Sequence, residues 1–210
     1  GETTTIGGSK FNNLVNDNMY VGLQYTSGEV HGRGTDSTIK GILDSWYSDN
    51  LNSYANYITT GEGATFCNDR QPSSVKENID GKGGTGTTVT FYGAYIRLNT
   101  YREPTYKCTD TKDRFATSTG LITADEVAYA GGVWNVNNLE YYLYDKQFYW
   151  TMSPHGAGGN TWSAAFVVYE YGPLSASNVH DIIGVRPVIN LKSNTVFVGS
   201  GFSSDPYVVL

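Results

Sequence analysis

The last third of the chain most restricts what it can fold into, because short apolar runs there alternate with Gly and Asn clusters. Phe148 to Ser153, Ala164 to Tyr169, Val185 to Leu191, Thr195 to Val198 and Tyr207 to Val209 all have strand composition. β-Branched and aromatic side chains suit a pleated surface, and the Gly/Asn punctuation suits hairpin connections. A twisted antiparallel sheet is therefore predicted. Pro187 has no N–H to give to a ladder, so it is expected at a sheet edge or a bulge.

Helices are predicted earlier. Ile39, Ile42, Leu43, Trp46 and Tyr47 recur at helical spacing, with Asp36 or Ser37 available to cap the start. A second helix begins at a capping box, Thr123 with Glu126, flanked by Ile122 and Val127 at the staple positions, and Gly131 supplies the stop. It should pack through Val127, Ala128 and Ala130. Met19 to Tyr25 reads as an early strand, and Thr88 to Leu98 as another with a bend at Gly93. Ser73 to Thr87 and Cys108 to Thr119 are polar and are expected to be surface excursions. Two helices with strands concentrated late define an α+β domain.

Composition narrows the partners. The chain has 210 residues without an internal repeat or linker, so residues 1–210 are read as one domain. Charged residues make up only 16%, while Gly (25) and Tyr (17) are abundant. That balance suits a loop-rich chain and not a helical bundle. The net charge of −6 and the lack of any Lys/Arg cluster argue against nucleic acid. No apolar run reaches the roughly 18 residues of a membrane span, so no direct insertion is predicted for this fragment. The sequence starts at Gly1 without Met, and an export signal or anchor is expected to have been removed ahead of it. Cys67 and Cys108 have no zinc-ligand spacing. They form either a disulfide, worth roughly 3–4 kcal/mol, or two buried thiols.

Four blocks carry a resemblance: Phe66-Cys67-Asn68-Asp69-Arg70, Leu121 to Gly132, Tyr149-Trp150-Thr151-Met152-Ser153-Pro154, and Gly184 to Lys192. In this order they resemble an uncharacterised family of surface and pilin-associated proteins from gut Firmicutes, whose members often have a prepilin-type leader. More distantly, the Trp-containing strand, the Gly/Asn-rich stretch and the closing Gly-Val-Arg strand are similar to the C-type-lectin-like fold. That fold also includes formylglycine-generating enzymes and the variable proteins of diversity-generating retroelements. The resemblance implies an extracellular or cell-surface location, with two helices packed on a twisted antiparallel sheet and long loops on one side.

The chemistries of that fold can be tested on the residues. Sugar-binding C-type lectins hold calcium with Glu-Pro-Asn or Gln-Pro-Asp and a later Trp-Asn-Asp. Here Glu103-Pro104-Thr105 and Trp134-Asn135-Val136 lack two of the oxygen ligands. Formylglycine-generating enzymes need cysteines late in the chain, and none follows Cys108. Around His31, His155 and His180 there is no Gly-x-Ser-x-Gly elbow, and His155 reads as part of a loop tip. Asp125 and Glu126 are read as helix-start carboxylates. Trp150 is expected in the core, and Arg186 is expected to anchor a buried loop through bidentate hydrogen bonds. No catalytic residue, metal or cofactor is predicted.

What remains is a binding surface. His155, Asn160, Trp162, Phe166, Tyr169, Tyr171, Asn178, His180 and Asp181 combine rigid aromatics with adaptable polar groups, as binding surfaces do. They are the predicted ligand-facing patch, for a protein or glycan on another cell or host surface. The resemblance to retroelement-diversified proteins implies that residues 155–182 are the variable stretch. The alternative is a structural role, as a minor pilin or surface-appendage subunit.

Overall fold

α-Helical and strand signals in the sequence resolve into a sheet buried on both faces. The structure is a computed structural model that describes residues 5–13, 15, 17–18, 23–24, 36–61, 64–67, 69, 73, 90–108, 114–158, 162–202 and 204–210. The elements run β1 (Gly8–Ser9), β2 (Asp17–Asn18), β3 (Leu23–Gln24), α1 (Thr38–Asn50), β4 (Thr65–Cys67) and β5 (Thr90–Phe91). Next come α2 (Gly93–Tyr95), leading into a π-helical stretch (Ile96–Tyr101), β6 (Arg114–Ala116) and α3 (Ala124–Ala130). Then follow β7 (Tyr149–Gly158), β8 (Trp162–Val168), β9 (Leu174–Asn178), β10 (Ile183–Gly184), β11 (Phe197–Val198) and β12 (Val208–Val209). Among the described residues this is an α+β fold with three α-helices and a mainly antiparallel sheet.

Both predicted helices form. Ser37, not Asp36, caps α1 by accepting from the Lys40 N–H. Ile39, Leu43 and Tyr47 are buried, while Ile42 lies exposed, so the apolar stripe is narrower than five residues. At α3 both halves of the Thr123/Glu126 capping box are present, and Gly131 ends the helix at φ 115°. A Cβ at Gly131 would lie 2.7 Å from Tyr141 Cβ, so shape as well as backbone conformation requires glycine there.

The main sheet runs β1-β10-β7-β8-β9, and β5 pairs with the far end of β7. Among the described strands of this sheet, only β10 and β7 pair in parallel. Successive side chains point to opposite faces of a strand, and here both faces are covered. Trp150, Met152, Ala165 and Val167 pack with Ile39 and Leu43 of α1. Tyr149, Phe166 and Val168 pack on the other face with Val127 of α3 and Ala94 of α2. Trp150 is fully buried, and its indole N–H donates to the Ser9 carbonyl at 2.9 Å. β7 and β8 therefore belong to the middle of the molecule, whereas β11 and β12 pair with each other and lie exposed.

Several local expectations change. Thr88 to Leu98 was expected as one strand, but only Thr90–Phe91 is extended and the chain then turns helical. Tyr92, Ala94, Ile96 and Leu98 are all buried, because this helical segment is covered on more than one side. That produces a strand-like alternation in a helix. The polar stretch expected to be a surface excursion contains β6, paired with β4, and the buried Thr117 and Thr119. β9 escaped detection because Leu174-Ser175-Ala176-Ser177-Asn178 has little strand composition. Pro187 lies outside the strands, whereas Pro154 sits inside β7, where the register shifts on either side of it. A bulge absorbs the missing donor. Of Met19 to Tyr25, only Leu23 and Gln24 are described, and they form β3. Apart from Ser73, the Ser73 to Thr87 loop lies outside the described residues. Among the described residues no helix is long and apolar enough to cross a membrane.

Candidate functional site

The sheet scatters the patch expected from the sequence. Phe166 is fully buried, which corrects its expected exposure: β8 has no solvent-facing side at that position. Trp162 is half-buried over Gly158, where a Cβ would come within 2.4 Å of the indole nitrogen. Tyr169 is half-buried and stacks on Phe148, ring centroids 4.4 Å apart. Tyr171 is exposed in the turn before β9. Asn178 is exposed at the end of β9, where its N–H and the Ser177 hydroxyl both donate to Asp181 Oδ2. His180 is half-buried, and its Nε2 lies 3.9 Å from Asp181 Oδ1. Asn160 and His31 lie outside the described residues.

The register pairs Ala164 with Asn178 and Val168 with Leu174. Trp162, Asn178, His180 and Asp181 thus gather at one end of the β8–β9 hairpin, while Tyr169 and Tyr171 stand at the other. At the usual rise per residue the two ends are about 15 Å apart. They do not form one continuous surface.

His155 departs furthest from expectation. It lies within β7 and not on a loop tip, because the strand continues to Gly158. Four aromatic rings enclose it: Trp134 stacks at 5.3 Å, and Tyr95, Phe166 and Phe91 meet it edge-on at 4.7, 5.2 and 5.6 Å. Both ring nitrogens are sealed from solvent and have no hydrogen-bond partner. Burial pushes the pKa of the imidazole down to about 4, so it is neutral at pH 7. It fills space between rings.

A different region gathers chemistry. Arg97, in the π-helical stretch, sends its guanidinium between two carboxylates that are only 6% exposed. Its Nε and Nη2 donate to Asp125 at 3.1 and 2.7 Å, and Nη2 also meets Asp69. The Thr105 N–H donates to Asp125 Oδ1 at 2.8 Å. Burial opposes the charge on Arg97, but the Asp125 hydrogen bond and the two carboxylate charges more than offset it, so its pKa rises. Asp125 thus does more than favour a helix N-terminus: it clamps Arg97 and the Glu103-Pro104-Thr105 segment.

Beside this trio opens a cleft of about 180 Å³, walled by β4, by Thr105 to Lys107 and by the start of α3. The Cys67–Cys108 disulfide joins two of these walls. Tyr106 stands at the rim, 71% exposed, and stacks on Tyr129 with centroids 4.0 Å apart and planes 9° from parallel. The Tyr129 hydroxyl donates to the Pro104 carbonyl at 2.7 Å, which fixes the pair. Among the described residues, Arg97 Nη1, Lys107 Nζ, Glu126 Oε1 and the Asn190 side-chain amide have no partner, and all four residues line the cleft. A more open hollow of about 590 Å³ shares the Thr65–Cys67 wall, Tyr106 and Lys107, and continues to Arg114.

Sequence reasoning passed over Arg97, Asp69, Lys107, Tyr106 and Tyr129. One signal was present: Arg97 lies between Ile96 and Leu98 in an apolar run, and a buried charge needs a partner. The expected loop anchor at Arg186 is observed. Its Nη1 donates to the Leu143 carbonyl at 3.1 Å and lies 3.3 Å from Asp145, and its guanidinium sits 4.8 Å from the Tyr149 ring centre. Compared with protein-family models, curated proteins and solved structures, the chain finds no match.

Proposed function

We propose that this chain is an extracellular recognition module that binds a protein or glycan in the Arg97 cleft and carries no chemistry of its own. One observation supports this most: an aromatic pair is held at the rim of a polar cleft whose donors and acceptors are only partly used. Pinned tyrosines lose little freedom on binding and offer a large contact area. Asp69 and Asp125, the buried carboxylates beside the cleft, both serve Arg97, so they are not poised as an acid/base pair. The Cys67–Cys108 disulfide favours an oxidising, exported location. The surface or pilin-associated origin remains part of this reading, supported by the four sequence blocks, as does the C-type-lectin-like fold, supported by the Trp-containing strand, the Gly/Asn-rich stretch and the closing Gly-Val-Arg segment.

The test is to probe glycan and host-protein arrays with the intact chain, its Tyr106→Ala variant and its Trp162→Ala variant. Binding that Tyr106→Ala abolishes and Trp162→Ala keeps supports the cleft. Binding lost only in Trp162→Ala moves the site to the β8–β9 hairpin end, and silence on every array overturns the recognition role.

The structural alternative, a surface-appendage subunit, has its own support in the β11–β12 hairpin. Phe197, Val198, Phe202, Tyr207 and Val208 are each at least half exposed, and an isolated two-stranded hairpin is marginal in water. If the hairpin serves assembly, wild-type protein self-associates in sedimentation experiments and a Phe197→Ser, Val208→Ser variant is monomeric.

A further inference from the structure

We infer that the ligand of the cleft is an uncharged glycan at least two sugar rings long, with one ring stacked on Tyr106. This rests on the reading of the cleft as the recognition site, and adds the class and length of what it takes.

The charges decide the class. Among the described residues, three carboxylates, Asp69, Asp125 and Glu126, line the cleft against two cations, Arg97 and Lys107. Arg97 is already neutralised by its two aspartates. With Arg114 of the adjoining hollow the described charges balance, three against three, so an acidic sugar, a phosphate or a sulfate gains no net attraction from the site. The unused groups are mixed: donors on Arg97 and Lys107, an acceptor on Glu126, and both kinds on the Asn190 amide. A sugar hydroxyl both donates and accepts, so a polyol can satisfy such a set without adding charge.

The aromatic rim decides the shape. Tyr106 uses one ring face on Tyr129, and its high exposure leaves contact area for a ligand. A pyranose presents a flat C–H face to such a ring and its hydroxyls to polar walls, matching the two surfaces that meet at this rim. The cleft of about 180 Å³ is small beside the roughly 300–1,000 Å³ of drug-sized pockets, so it takes one ring. The adjoining hollow shares Tyr106 and Lys107 with it and offers a place for the next ring. The two hollows share the Tyr106 rim, as two consecutive sugar subsites would.

The experiment is calorimetric titration of the intact, oxidised chain with neutral manno-, xylo-, cello- and N-acetylchito-oligosaccharides of one to six rings. Sialylated, sulfated and uronic-acid oligosaccharides form the second arm, and the protein array above the third. The expected result is a neutral binder whose affinity rises by about tenfold or more from one ring to two. That affinity should change less than about twofold between low and high salt. Tyr106→Ala should lose about tenfold or more, while Tyr106→Phe, which keeps the ring, retains binding. Preference for acidic sugars, equal affinity for one ring and two, or indifference to Tyr106→Ala overturns the inference. A protein ligand lost in Tyr106→Ala, with no glycan bound, also overturns it but leaves the recognition role standing. No ligand in any arm removes both.

Discussion

The β7–β8 sheet and the Arg97 cleft hold opposite kinds of residue, and the sequence pointed to the first as part of the binding face. Aromatics late in the chain looked like a surface for contact, yet Phe166 is fully buried and the His155 ring nitrogens are sealed among four aromatic rings. The cleft joins parts that were read separately, a strand around Arg97, a helix around Tyr129 and a bridge or two thiols at Cys67 and Cys108, into a clamped arginine, a stacked tyrosine pair and a disulfide. The difference teaches that composition reports what a residue is able to do, while the layer around it decides which face it shows. A sheet covered on both sides hides alternate residues equally, so no side of β8 is left for a partner.

That comparison can be broken at several points. The largest effect is expected in the sheet: Phe166→Ala should lose about 3–5 kcal/mol in urea denaturation. Tyr171→Ala, exposed in the next turn, should stay within about 0.5 kcal/mol. Equal effects would erase the distinction between buried and exposed members of the late aromatic set. Next is the bridge. Reducing Cys67–Cys108, or replacing both by Ser, should cost about 3–4 kcal/mol, because the disulfide closes a loop with a sequence separation of 41. The same denaturation curves with and without reductant check it.

In the cleft, Asp125→Ala strips a 6%-exposed partner from Arg97 and should destabilise by about 3 kcal/mol. A loss well under 1 kcal/mol would mean the trio is held by water and not by its own geometry. His155 gives a pH signature of similar size. Its folded pKa of about 4 lies below the ordinary 6.5, so the folded state resists the proton. Stability should fall as pH drops from about 6.5, with the full loss of about 3 kcal/mol reached near pH 4. His155→Leu should remove that part of the decline, since the imidazole nitrogens have no partner to lose. An unchanged acid limb in the variant would place the sensitivity elsewhere.

How much of this could be read in the residues depends on range. Signals completed within one turn of chain were legible: the Thr123/Glu126 box, the Gly131 stop and the stripe on α1. So were Trp150 as core and Arg186 as an anchor, because a large ring and a guanidinium each have few good places. Residues 92–98 misled because burial on several sides gives a helix the alternation of a strand. The cleft was hidden because its parts are scattered: Asp69, Arg97, Thr105 and Asp125 stand far apart in the chain and meet in the folded structure through hydrogen bonds and ion pairs beside the disulfide. No local pattern announces an arginine whose partners lie 28 residues away on either side.

The most direct test of where recognition resides is one affinity comparison, made on the tightest neutral oligosaccharide with wild-type, Tyr106→Ala and Trp162→Ala proteins of matched folding. A tenfold or larger loss in Tyr106→Ala, beside an unchanged Trp162→Ala, is the predicted result. The reverse pattern would return the binding face to the β8–β9 hairpin and contradict the cleft.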